Sequence, residues 1–216
     1  MKTKNISFRF LLIVFGMAFS PLSLSKAMAA DLLPPQLAIE DASEQMKVKL
    51  QSDEFKNDFA QVTEYVEQVI YPHVDFQRIS ALVLGKHWRK ADKVQKEKFK
   101  EEFQTLLIRT YARAFIEFND WTVRYLPLTL EEGAKKTLVK TEVLQSGKQP
   151  IAVNYRMALS GGDWKVYDIV IEGVSLVTNY RTSFKNEVKR TGSLDSVIAK
   201  MSERNKEALG QEEEQS

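Results

Sequence analysis

The sequence predicts an α+β fold in which helices precede and follow a curved antiparallel sheet of about four strands, closed around an apolar pocket. Three observations predict it. The first is a change of period: apolar residues recur three or four apart on either side of a central region that alternates in twos, the marks of helix and of half-buried strand. The second is that the alternating segments, from Trp121 to Ile171, are joined by short turn signals, which favours an antiparallel meander. The third is length without cysteine. About 187 residues follow the leader described next, enough for one domain with a core and a modest cavity, and with 0 Cys its stability must rest on packing.

Residues 1–29 read as a secretory signal peptide. Lys2, Lys4 and Arg9 form a basic head, Phe10 to Phe19 an apolar run too short to span a bilayer, and Ala27-Met28-Ala29 a cleavage site before Ala30. No cysteine is available to carry a lipid anchor. The leader also carries the basic excess: the chain has 31 Lys+Arg and 29 Asp+Glu, and losing Lys2, Lys4, Arg9 and Lys26 leaves 27 against 29. Net charge therefore gives no argument for nucleic acid.

The domain is expected over residues 30–209. Pro34-Pro35 starts a helix carrying Leu37, Met46 and Leu50. A second runs from Phe55 through Phe59, Val62, Val66 and Val69 until Pro72 stops it. Asp75 caps a short helix that Gly85 ends. Asp92 and Gln95 resemble a capping box, and the long helix after them shows a broad stripe (Phe99, Phe103, Leu106, Leu107, Tyr111, Phe115) wide enough to pack on a sheet. Four strands follow: from Trp121, broken by Pro127; from Lys136 to Gln145; from Ile151 to Leu159; and, after the Gly161-Gly162 hairpin signal, from Trp164 to Ile171. A helix from Val174 to Arg190 comes next, then Gly192 and a last helix capped by Ser193. Residues 210–216 read as a disordered tail.

The stretch WKVYDIVIEGVSLVTNYR, Trp164 to Arg181, is apolar on both strand faces. Trp164, Val166 and Val170 point one way, and Tyr167, Ile169 and Ile171 the other. It holds no cysteine, histidine or obvious nucleophile. Elsewhere too, sites for chemistry are sparse. His73 and His87 sit in separate segments without cysteine to help them bind metal, and no G-x-S-x-G is present. Asp168 and Glu172, both expected on the Trp164 side, are about 13 Å apart along the strand, too far for a carboxylate pair on one bond. Either could act alone as a base in an apolar cavity, or serve a structural contact. The basic stretch GKHWRKADKVQKEKFK is interrupted by acids and reads first as a solvated helix face. Tyr111, Tyr125, Tyr155 and Tyr167 combine a large ring with a polar tip, which suits the mouth of an apolar cavity as well as a core.

Three long blocks carry a family resemblance. VLGKHWRKADKVQKEKFKEEFQTLLIRTYA (Val83 to Ala112), WKVYDIVIEGVSLVTNYRTSF (Trp164 to Phe184) and LDSVIAKMSERN (Leu194 to Asn205) resemble, in the same order, the toluene-tolerance/MlaC family. The similarity covers roughly residues 35 to 205. It implies an NTF2-like sheet and helices enclosing a pocket for acyl chains, in a soluble periplasmic carrier of phospholipid. The implied partners are an outer-membrane lipoprotein–porin complex and an inner-membrane ABC transporter bearing an MCE-domain ring, in a pathway that maintains outer-membrane lipid asymmetry. No catalytic residue, metal or cofactor is implied, the phospholipid being cargo.

With that expectation, the lipid-lining candidates are Tyr167, Ile169 and Ile171, with Val139, Val153 and Tyr155 on neighbouring strands. Tyr111, Phe115, Tyr125 and Val177 complete the set. One leaflet's tails reach about 15 Å, which about five strand residues match. Two tails of about 15 methylenes each would gain about 24 kcal/mol against water, so release is expected only onto a partner offering a continuous apolar path. An NTF2-like isomerase or hydrolase and a chaperone binding apolar peptides are the alternative readings.

Overall fold

The computed structural model describes residues 31–117 and 121–213, with side chains for 31–112 and 121–208. The expected signal peptide lies outside the described residues. Before the sheet come α1 (Pro34–Lys49), α2 (Asp53–Asn57), α3 (Phe59–Ile70), a 3-10 turn (Tyr71–His73), α4 (Phe76–Leu84), α5 (Lys86–Lys90) and α6 (Lys93–Glu117). Strands β1 (Trp121–Tyr125), β2 (Lys136–Gln145), β3 (Ile151–Ser160), β4 (Asp163–Ile171) and β5 (Val174–Ser175) follow, and then α7 (Leu176–Thr191) and α8 (Leu194–Glu213).

The helix ends follow from side-chain caps. Asp75 accepts from the Arg78 N–H at 2.9 Å to start α4, and Gly85, at φ +53°, stops it in a conformation that L side chains rarely adopt. Asp92 and Gln95 exchange bonds of 2.8 and 3.2 Å at the start of α6. Ser193 accepts from the Ser196 N–H at 3.1 Å to start α8, which continues to Glu213, into the stretch expected to be disordered. Two helical expectations are corrected. The helix expected across Phe55 to Val69 is two, because the Asp58 carboxylate accepts from the Gln61 N–H at 2.9 Å and restarts the chain as α3. The helix expected from Val174 begins at Leu176, because Val174 and Ser175 first pair with β4 and Ser175 then caps the helix through the Thr178 N–H.

The sheet is an antiparallel meander in the order β1-β2-β3-β4-β5, five strands where about four were expected. The two-residue Gly161-Gly162 loop joins β3 to β4, both glycines at positive φ, as such a hairpin requires. Three apolar clusters hold the layers together. One joins α1, α2, α3 and the Ile108–Ala112 part of α6 to Trp121. A second joins α4, the start of α6, α7 and α8. The third lies between α1 and the sheet: Ile39 over Val139, Met157 and Val166. The broad stripe of α6 is thus buried chiefly by α3, α4 and α8 rather than by the sheet, and Leu37, expected to face the core, is 47% exposed while Ile39 is buried.

Candidate functional site

The register of the strands determines which side chains share a face. Val139 lies opposite Tyr155 and Thr141 opposite Val153; Tyr155 in turn lies opposite Ile169 and Val153 opposite Ile171. Between Arg156 and Met157 the register shifts: Arg156 pairs with Asp168, but Met157 pairs with Val166. Tyr167 is the extra residue of a β-bulge, and a bulge reverses the alternation on one side of itself. Trp164 and Val166 therefore share a face with Ile169 and Ile171, where uninterrupted alternation would have put them on opposite faces. Asp168 points to the other face, not to the Trp164 side as expected.

The result is one apolar face under α1. Val139, Thr141 and Met157 form its floor, each fully buried. Tyr125, Val153, Tyr155, Ile169 and Ile171 stand around that floor half-buried. The Thr141 hydroxyl is satisfied by the Val153 carbonyl at 2.6 Å. Helix α1 is held over the face by few polar contacts: the Gln36 side chain donates to the Leu126 carbonyl at 3.1 Å, Ser43 meets the Tyr125 hydroxyl at 3.5 Å, and His73 Nε2 lies 3.4 Å from Asp41 Oδ2. Burial raises the Tyr125 hydroxyl above its usual range, Ser43 opposing. Burial raises that of Tyr155 further, Tyr125 adding to the effect and Thr141 opposing it. Both phenols stay neutral at physiological pH and offer hydrogen bonds without charge. Beside this face, an open cleft of about 390 Å³ is lined by Pro34, Ala38, Pro72, His73, Gly162, Asp163 and Trp164. Its Ala38 and Trp164 belong to the same cluster as the sheet floor.

Six of the ten residues proposed from sequence come together here: Tyr125, Val139, Val153, Tyr155, Ile169 and Ile171. Tyr167 does not join them. Its ring packs in the helical cluster, 5.5 Å below the Arg78 guanidinium. Val177 packs in that cluster as well. Tyr111 stands beside Tyr180 of α7, whose hydroxyl is raised by burial and then by Tyr111. The side chain of Phe115 lies outside the described residues. Sequence reasoning missed Ile39, Ala42 and Ser43 on α1, and it separated Trp164 and Val166 from the face. The signal for α1 was present in Ile39, Ala42, Met46 and Leu50, all buried and at helical spacing.

The acids considered as bases are otherwise engaged. Asp168, 3% exposed, accepts from Arg156 Nη1 at 2.7 Å, from the Ser175 hydroxyl at 2.7 Å and from the Val177 N–H at 3.1 Å. It ties the start of α7 to the sheet. Glu172, at φ +47° just past β4, accepts from the Ala152 N–H and is exposed. Among the described residues no group of three or more His, Cys, Asp or Glu is placed to hold a metal, and no helix is long and apolar enough to cross a membrane.

The family model described as MlaC protein matches residues 40–203. The chain belongs to the MlaC family. MlaC relatives with curated names include the toluene tolerance protein ttg2D of Pseudomonas putida, 26% identical over 153 residues and covering 70% of this chain and 71% of the relative. Another is the intermembrane phospholipid transport system binding protein MlaC of Haemophilus influenzae, 24% identical over 173 residues, with 77% and 80% covered. Among solved structures, a phospholipid-binding protein from Ralstonia solanacearum in complex with a phospholipid superposes with a TM-score of 0.75 at 28% identity, covering 82% of this chain and 99% of its own. The fold is thus shared with a phospholipid-binding protein over most of the chain, and this is a family of lipid-binding transport proteins rather than enzymes.

Proposed function

We propose that this chain is a periplasmic carrier that shuttles diacyl phospholipids between an outer-membrane lipoprotein–porin complex and an inner-membrane ABC transporter bearing an MCE-domain ring, and so maintains outer-membrane lipid asymmetry. One observation carries the reading: a chain that superposes over 82% of its length on a phospholipid-bound structure leaves an apolar sheet face only half covered. Tyr125, Val139, Val153, Tyr155, Ile169 and Ile171 are assigned to the acyl tails. The cleft at Trp164 and His73 is assigned to the mouth, where an indole and polar tips suit the boundary between tails and headgroup.

The physics supports loading by displacement. Ile39 of α1 packs on the sheet floor and the open cleft is lined by none of the residues assigned to the tails, so loading two acyl tails requires α1 to move off the face. What resists the movement is chiefly the burial of Ile39, Ala42, Met46 and Leu50, and acyl tails on the face would replace the contacts that Ile39 makes there. A membrane-to-protein exchange nearly cancels the burial of the tails, whereas escape into water would forfeit about 0.8 kcal/mol per methylene. Release therefore needs docking on a partner, which also sets direction.

The test is native mass spectrometry of the mature protein purified without detergent, with lipid analysis of an organic extract. Near-stoichiometric diacyl phospholipid is expected. A lipid-free protein that also refuses phospholipid from vesicles carrying the two partner complexes overturns the reading.

A further inference from the structure

Charge is unevenly spread along the helices. From Asp31 to Ile70 the chain carries nine acidic and three basic residues; from Phe76 to Lys100 it carries eight basic and two acidic. The basic segment comprises α4, α5 and the start of α6, and three cations gather where α4 gives way to α5. Lys86 and Lys90 flank His87, whose imidazole is held below its usual range by burial first and then by these two ammonium groups. Arg181 of α7 joins them: its guanidinium stands 3.2 Å from the point where a Cβ on Gly85 would sit.

The carboxylates around this corner are committed elsewhere. Asp92 accepts from the Gln95 N–H, Asp195 accepts from the Gln95 side chain, Glu97 pairs with Lys100, and Glu187 holds Arg190 and Lys200. Among the described residues, Lys86, Arg89, Lys90 and Arg181 form no ion pair. Surfaces ordinarily intersperse both signs more evenly, and a patch with eight basic and two acidic residues attracts anions over several ångströms. Carbon is exposed in the same segment: Val94 is 61% and Leu82 37% exposed, and Lys96 lies 5.7 Å from the centre of the half-buried Trp88 ring. An acidic protein face would answer the cations and leave these apolar groups without a counterpart. A phospholipid surface answers both, phosphates to the cations and the headgroup–acyl boundary to the aliphatic and indole carbons.

We propose that the corner formed by α4, α5 and the start of α6 docks the protein on an anionic phospholipid surface. It is a different surface from the sheet face, so it stands or falls separately from the cargo reading.

The test is flotation of the mature protein with phosphatidylcholine vesicles, with and without phosphatidylglycerol, cargo being analysed on the same samples. Binding is expected only to vesicles containing phosphatidylglycerol, weakening as salt shortens the Debye length. Each cation near such a surface is worth about fivefold, so Lys86→Gln with Lys90→Gln should lower the partition about 25-fold. Val94→Ser should lower it further. Lys136→Gln with Lys140→Gln, the same charge change on the exposed side of β2, should leave binding intact, and thermal melts of all variants should overlay. Equal binding to both vesicles, binding to neither, or an equal loss in the β2 pair overturns the proposal. If vesicles are ignored but the Lys86/Lys90 pair slows transfer into proteoliposomes bearing the partner complexes, the corner faces an acidic protein and the lipid-surface assignment is withdrawn.

Discussion

The helical cluster and the sheet face are both apolar, and they are finished differently. In the cluster, Phe99 and Phe103 are at most 1% exposed and meet Phe184 edge to face, with centroids 5.1 and 5.5 Å apart. Tyr180 closes the group against Phe103 at 5.1 Å. On the sheet, only the floor is sealed, and the five side chains around it remain half-buried. Apolar area still in contact with water is free energy that folding has not yet collected and that a ligand can. On the proposed reading, stability and binding capacity lie in separate regions of the fold. Substitutions in the two should therefore have opposite signatures.

The largest expected effect is in the helical cluster. Phe103→Ala removes a fully buried ring that contacts three others, and should cost about 3–5 kcal/mol in denaturant unfolding. Lipid bound per folded molecule should not change. A small stability loss with lost lipid would reverse the roles of the two regions. Asp168 is the joint between them, so Asp168→Ala should cost less, about 1–3 kcal/mol. Most of that comes from the Ser175 and Val177 donors rather than the ion pair, because Arg156 is 48% exposed and its charge is screened. Asp168→Asn keeps an acceptor and should recover part of the loss. An unchanged melting curve for Asp168→Ala would show that α7 does not depend on this contact.

Much of the frame was legible because it is local. Asp75, Asp92, Ser193, Gly85 and the Gly161-Gly162 hairpin act within a few residues of themselves, and each does what its chemistry predicts. The site was legible only in part, because it depends on partners far away in sequence. One inserted residue in β4 decides the face of Trp164 and Val166, and strand alternation alone cannot see it. The doubled apolar faces of WKVYDIVI had a use on both sides: Trp164, Val166, Ile169 and Ile171 lie on the face under α1, and Tyr167 turns to the helical cluster. Tyr167 was misplaced for the same reason, being the bulged residue itself. The burial of the α6 stripe by helices was hidden because a wide apolar stripe specifies that something covers it and not what.

The smallest expected difference is between two enlargements of the same residue type. Val177 and Val153 are both half-buried valines, yet Val177 packs in the helical cluster and Val153 stands on the sheet face between Thr141 and Ile171. Val177→Trp forces an indole among packed rings and should cost about 1–3 kcal/mol, with lipid occupancy of the folded fraction unchanged. Val153→Trp projects toward incompletely covered space, so its stability cost should stay under about 1 kcal/mol. Its indole occupies the volume assigned to an acyl tail, and the phospholipid recovered by extraction should fall. The pair shares residue types and added volume, so a difference in outcome can come only from the region. Full lipid occupancy in Val153→Trp would remove this residue from the tail site, and equal melting shifts in the two variants would show that the sheet face is packed as tightly as the helices.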